Sequence, residues 1–109
     1  MSGNQAQQYQ AKNISVIARG ADVLVREYTL APGEFTPWHH HTQVTDHYYC
    51  LEGMVLIETR VPDMRRELHP GESGTVTPFT AHHISNSTGK PCRFLLIQGV
   101  GQYDFVKEE

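Results

Sequence analysis

Apolar residues in this chain come in short runs broken by polar positions, and no stretch holds an i, i+3, i+4, i+7 repeat over ten residues or more. Segments rich in β-branched and aromatic residues occupy 22–30, 46–50, 54–61, 74–77 and 92–98. Stretches 21–31 and 38–52 are long enough for helices, but their Val, Thr and Tyr content suits a pleated surface better. Turn formers separate the segments: Ala31-Pro32-Gly33, Leu51-Glu52-Gly53, Val61-Pro62-Asp63, His69-Pro70-Gly71 and Thr88-Gly89-Lys90-Pro91. Residues 13–18, with Ile14, Val16 and Ile17, add a further candidate strand. Many short strands punctuated by Gly and Pro predict an all-β barrel or sandwich.

Length narrows this to one unit. A chain of 109 residues, 39% hydrophobic and 19% charged, suits a single compact domain. We expect residues 1–12, polar and rich in glutamine, to form an N-terminal segment, and 13–106 to form the domain. A formal charge of −3 offers no basic surface for nucleic acid. No apolar run approaches the roughly 20 residues that span a bilayer, so no membrane association is expected. Residues 1–12 do not read as a secretory signal, and Cys50 and Cys92 do not make a disulfide framework. A reducing, cytoplasmic setting is the expectation.

The chemistry is concentrated in histidines. Six of the seven lie in two windows, His39-His40-His41 through His47, and His82-His83. A purification-tag remnant would sit at a terminus, and this run is internal. A solvated loop is the bland alternative, and spacing opposes it. On a strand, alternate side chains share a face, so His39 and His41 project together while His40 points away. A third histidine from another strand would complete a metal site, since imidazole binds transition metals and carboxylate often accompanies it.

These spacings resemble those of small single-domain cupins. The first motif of that family runs Gly, five residues, His-x-His, three or four residues, Glu, six residues, Gly. Here it is carried by Gly33, His39 and His41, Asp46 and Gly53, with Asp46 standing where the family usually has Glu. The second motif matches Gly71, His82 and Asn86 in its outer spacings, while its inner Pro-x-Gly is degraded around Pro78 and Thr80. The outer spacings select His82 as third histidine, whereas the distance from Pro78 selects His83. Two anchors against one favour His82. Together the motifs cover 33–86.

The resemblance implies a single antiparallel β-barrel of jelly-roll type holding a divalent transition metal (Fe, Mn, Ni or Zn) with His39, His41, Asp46 and His82. Asp46 is shorter than Glu by one bond of about 1.5 Å. Direct ligation, a bridging water and no contact all stay open for it, and it is expected to tune the site more than to hold it. By alternation Tyr48 and Cys50 share its face and, with Arg26, are candidate pocket residues. Trp38 is expected on the outer face or at an interface, and His40, His47, His69 and His83 in solvent-facing or structural roles. Such a site suits an oxygenase- or isomerase-like enzyme acting on a small organic acid, diketone or sugar derivative. The alternative is a non-catalytic module that binds or senses a small molecule through the metal. A homodimer is implied too, with 13–18 crossing to the partner's sheet.

Overall fold

The computed structural model describes residues 11–108. Ten strands form in chain order: β1 (Asn13–Arg19), β2 (Val23–Leu30), β3 (His39–His40), β4 (Thr45–Glu52), β5 (Val55–Thr59), β6 (Met64–Leu68), β7 (Ser73–Val76), β8 (His82–Ser85), β9 (Cys92–Gly99) and β10 (Val106–Lys107). They build two five-stranded sheets, ordered β1-β2-β9-β4-β7 and β10-β3-β8-β5-β6, with every pairing antiparallel. This is the all-β architecture that the turn spacing predicts and the jelly roll that the resemblance implies. Its two sheets stay distinct layers and do not close into one continuous hydrogen-bonded ring. Among the described residues there is no helix long and apolar enough to cross a membrane.

Alternation sets what each strand gives the interior. On β4, Asp46, Tyr48 and Cys50 point inward and are buried, while Tyr49 is exposed. On β9, Phe94, Leu96 and Gln98 do the same. The Tyr28 ring stacks on Phe94 at 5.0 Å and 10°, an aromatic pair worth about 1 kcal/mol beyond its buried area. The opposite layer supplies Val55, Ile57, Leu68 and Ile84.

The motif residues outside the histidine cluster hold the frame. Asn86 donates through Nδ2 to Leu30 O and Lys90 O, at 2.9 and 2.7 Å, and so staples the end of β8 to the end of β2. Gly53 turns at φ 73°, and a Cβ there would meet Pro91 O at 2.7 Å, so only glycine fits.

Four strands were not among the segments rich in β-formers. β6 reads Met-Arg-Arg-Glu-Leu and is exposed except at Leu68, so its sequence carries no apolar alternation. β8 and the two-residue β3 are the histidine stretches, and β10 is two residues long. Residues 13–18, the stretch expected to cross to a partner, pair with β2 as an edge strand, with a bulge between Val16 and Ala18. Of the expected N-terminal segment 1–12, residues 1–10 lie outside the described residues. Ala11 is packed into the core, and its N–H donates to Phe35 O.

Candidate metal centre

β3, the residue after it and β8 bring three imidazoles together. His39 faces His82 in the β3–β8 register, and β4 carries Asp46 in from the other sheet. All four side chains are buried, and each offers one ligand atom within 4.8 Å of the others. His40 points away to Glu108, with Nδ1 and Oε2 2.5 Å apart. The three-histidine stretch therefore alternates as a strand should, although regular pairing stops at His40.

The rings are held in one tautomer by backbone. His39 Nδ1 donates to Pro37 O at 2.6 Å, His41 Nδ1 to Asp104 O at 2.5 Å, and His82 Nδ1 to Thr80 O at 2.8 Å. A carbonyl only accepts, so each Nδ1 carries its proton and each Nε2 is left for the centre. Backbone anchoring of the second ring nitrogen is the usual support of a metal-ligating histidine.

Asp46 Oδ2 lies 2.9 Å from His82 Nε2 and 3.2 Å from His41 Nε2. Despite its short side chain, the carboxylate thus reaches the convergence point of the imidazoles. Tyr48 donates its hydroxyl to the same oxygen at 2.7 Å, and Gln98 Nε2 donates to Oδ1 at 2.9 Å. Burial opposes the charge on Asp46, but the hydrogen bonds from His41 and His82 outweigh it and hold the carboxyl far below its usual range. His39 is pushed down to about 3 by burial, with the charge of His82 adding to it, and so stays neutral. Burial also opposes charge on His41, yet its hydrogen bond and attraction to Asp46 raise its proton affinity above the usual value.

The set fits a metal ion. Ligands at about 2.1 Å from one ion stand roughly 3–4 Å apart; here Asp46 stands that close to His41 and His82, and all four donor atoms lie within 4.8 Å of one another. Three imidazoles and a carboxylate suit several divalent transition metals and leave coordination positions for another ligand.

The candidate pocket residues divide. Tyr48 touches Asp46 directly. Arg26 Nη2 donates to Gln98 Oε1 at 2.5 Å, which places it one residue removed from the carboxylate. Cys50 lies in the apolar core, its thiol 3.6 Å from the Glu52 and Gly53 carbonyls, and touches none of the cluster. His83 faces outward, donating to Thr36 O and stacking on Trp38, whose ring also carries Arg60 at 4.1 Å on the outer face. The sequence reading missed Gln98, Tyr103, Asp104 and Phe105. Gln98 is the one polar residue among the inward positions of β9, a signal available in the sequence.

Residues 26–98 match the family model described as Cupin domain. The chain is a cupin. A glucose-6-phosphate isomerase from Thermococcus gammatolerans is 30% identical over 115 residues, covering 93% of this cupin and 61% of that relative, so the chain spans about three-fifths of the relative's length. Two solved structures share the fold. A Klebsiella pneumoniae protein with a double-stranded β-helix domain superposes with a TM-score of 0.77 at 20% identity, covering 94% of this cupin and 93% of that chain. The polyketide cyclase RemF from Streptomyces resistomycificus gives 0.77 at 20% identity, over 94% of this cupin and 76% of that chain.

Proposed function

We propose that this cupin is a metal-dependent enzyme acting on a small oxygen-bearing organic molecule, with isomerisation of a sugar derivative the favoured reaction and oxygen-dependent cleavage of a small acid or diketone the next. The observation that carries the reading is the convergence of three backbone-locked Nε2 atoms and one carboxylate oxygen in a buried site. The isomerase relative supports the choice of reaction. A divalent metal held there would supply Lewis-acid polarisation of a carbonyl or hydroxyl oxygen. The chain's own groups fix the surroundings: Tyr48 and Gln98 orient Asp46, and Arg26 brings positive charge to the same inner face for a carboxylate or phosphate.

The test is protein purified without a nickel column, stripped, and reloaded separately with Fe(II), Mn, Ni and Zn. One equivalent bound and turnover in sugar isomerisation or oxygen uptake are expected. Less than a tenth of an equivalent of any metal would overturn the reading. A second reading, metal-dependent binding without turnover, is favoured by the closure of the site, and one equivalent of metal with no activity on either panel would select it. The proposal includes a cytoplasmic homodimer, which light scattering checks for assembly.

A further inference from the structure

Residues 99–108 follow the last residue of the family match, Gln98, and fold back across the histidine cluster. Asp104 supplies the carbonyl that holds His41 Nδ1. The Phe105 ring stacks on His39 with centroids 4.3 Å apart at 20°, and the Tyr103 ring stands 5.4 Å from His41. Beyond them β10 pairs with β3, Val106 opposite His40 and Lys107 opposite His39. The cover is tight. Beneath it His39 and His41 are 4% and 3% exposed and Asp46 and His82 not at all, and on the core side of His39 the cavity bounded by Tyr48, Phe94 and Gln98 holds only about 10 Å³, room for a single water and far less than any organic substrate needs.

The cover joins the sheet only through a short ladder. Its ladder is two residues long, where β4 and β9 pair over most of their lengths. Its other holds include Asp104, which accepts from Thr42 N–H at 2.8 Å and Thr42 Oγ1 at 2.7 Å, Gly101 N–H donating to Asp22 O at 2.9 Å, Gln102 N–H donating to Gln43 Oε1 at 3.1 Å, Glu108 N–H donating to Trp38 O at 2.9 Å, the Glu108 carboxylate on His40, and Arg26 over the Tyr103 ring at 5.0 Å. The segment leaves β9 through Gly99-Val100-Gly101, with Gly101 at φ 142°, a conformation that glycine adopts freely. A short ladder, individual hydrogen bonds in place of an extended sheet pairing, and a glycine-flanked exit describe a unit that opens below the cost of global unfolding.

We infer that residues 101–108 form a strap that lifts to admit the substrate, and that Phe105 and Tyr103 select by size which ligands reach the metal. The inference rests on the metal-centre reading above. Closure returns the Asp104 carbonyl to His41, so strap position and the orientation of one metal ligand are coupled.

Cobalt(II)-loaded protein provides the test, because its visible spectrum reports ligands that reach the ion. The probes are azide, which is small, and benzohydroxamate, a flat aromatic chelator. Phe105→Ala removes the cover, and Asp104→Ala removes the Thr42 ties while keeping the backbone carbonyl and Phe105. Azide affinity should agree within about twofold across the parent and both variants. Benzohydroxamate should bind at least about tenfold faster to each variant, and chelator should strip their cobalt correspondingly faster. Equal benzohydroxamate rates in all three proteins, with cobalt fully bound, would overturn the strap. Hydrogen exchange in the stripped parent separates the two proposals. Amides of Gly101, Gln102 and Glu108 should exchange at least about a hundredfold faster than those in the middle of β9, and equal protection overturns the strap whether or not metal binds. Absence of bound cobalt from the parent counts against the metal centre alone.

Discussion

Gln98 Nε2 donates to Asp46 Oδ1 at 2.9 Å, across the register in which these two residues face each other on β9 and β4. Arg26 fixes which end of the amide does so. A guanidinium only donates, so Gln98 Oε1 must face Arg26 and the amide nitrogen must face the carboxylate. A charged residue on β2 thereby sets the hydrogen bonding of the candidate metal ligand.

Replacing Gln98 with Met keeps the length of the side chain and removes both bonds. Leaving a buried carboxylate oxygen and a guanidinium donor without this partner should destabilise the fold by about 3 kcal/mol. Metal affinity should fall tenfold to a hundredfold, as is usual when the support of a ligand is lost. Urea unfolding and competition with a chelator measure the two effects. An unchanged urea midpoint would refute the assignment.

The neighbouring histidines should behave in opposite ways. His41→Ala removes a ring whose Nε2 faces Asp46 and should abolish metal retention at micromolar protein concentration. His40→Ala removes contacts to Glu108 and Phe79 away from the centre and should leave one equivalent bound. Elemental analysis of the two variants side by side decides the matter, and equal losses would contradict the alternation seen at His39 through His41.

Asp46→Ala should cost both stability and metal. It removes the acceptor of the Tyr48 hydroxyl and the Gln98 amide, and the carboxylate beside His41 and His82, at one buried point, and each donor left unsatisfied costs about 1–3 kcal/mol. Asp46→Glu lengthens the arm within the same chemistry and should retain the metal. Calorimetry on both variants tests this, and an alanine variant that binds metal as tightly as the parent would remove the carboxylate from the ligand set.

In metal-free protein, stability should peak near pH 6.5. Burial and the charge of His82 depress His39 to about 3, while an unfolded histidine titrates near 6.5, so between those values the unfolded chain holds the extra proton. Stability therefore rises with pH through that window, by up to about 1.4 kcal/mol per unit. His41 acts in the opposite sense. Burial works against its charge, the Asp46 hydrogen bond overcomes that, and its contribution is complete below about 6.5 and lost as pH rises through the elevated folded value. Asp46, held well below the carboxylate range, contributes throughout and fails only in strong acid. Urea titrations between pH 4 and 8 in chelator would show the maximum, and a curve still rising at pH 8 would contradict the role given to His41.

The cluster was legible because its members sit at fixed local spacings. His39 and His41 differ by one strand period, and Gly33, Asp46 and Gly53 frame them at the intervals of the first cupin motif. Gln98 was hidden by register: only the pairing of β4 with β9 sets it opposite Asp46, and nothing local to 92–98 encodes that pairing. Tyr103 and Phe105 were hidden differently. They follow the last apolar run, in a stretch without periodicity, and acquire meaning only when the chain folds back over His39 and His41. β6 escaped because Arg66 interrupts the face it shares with Met64 and Leu68, so the alternation that reveals a half-buried strand never arises.

The candidate ligand set is divided between the layers, with the histidines coming from the β3–β8 side and the carboxylate from β4 in the facing sheet. An ion held by both must match the gap between them, and the gap must in turn yield to the ion. The width of the sandwich at this end thus becomes a gauge of ionic radius. Exchanging one divalent metal for a larger one should be felt as a slight parting of the two sheets, carried along β4 toward Tyr48 and the aromatic core beneath it.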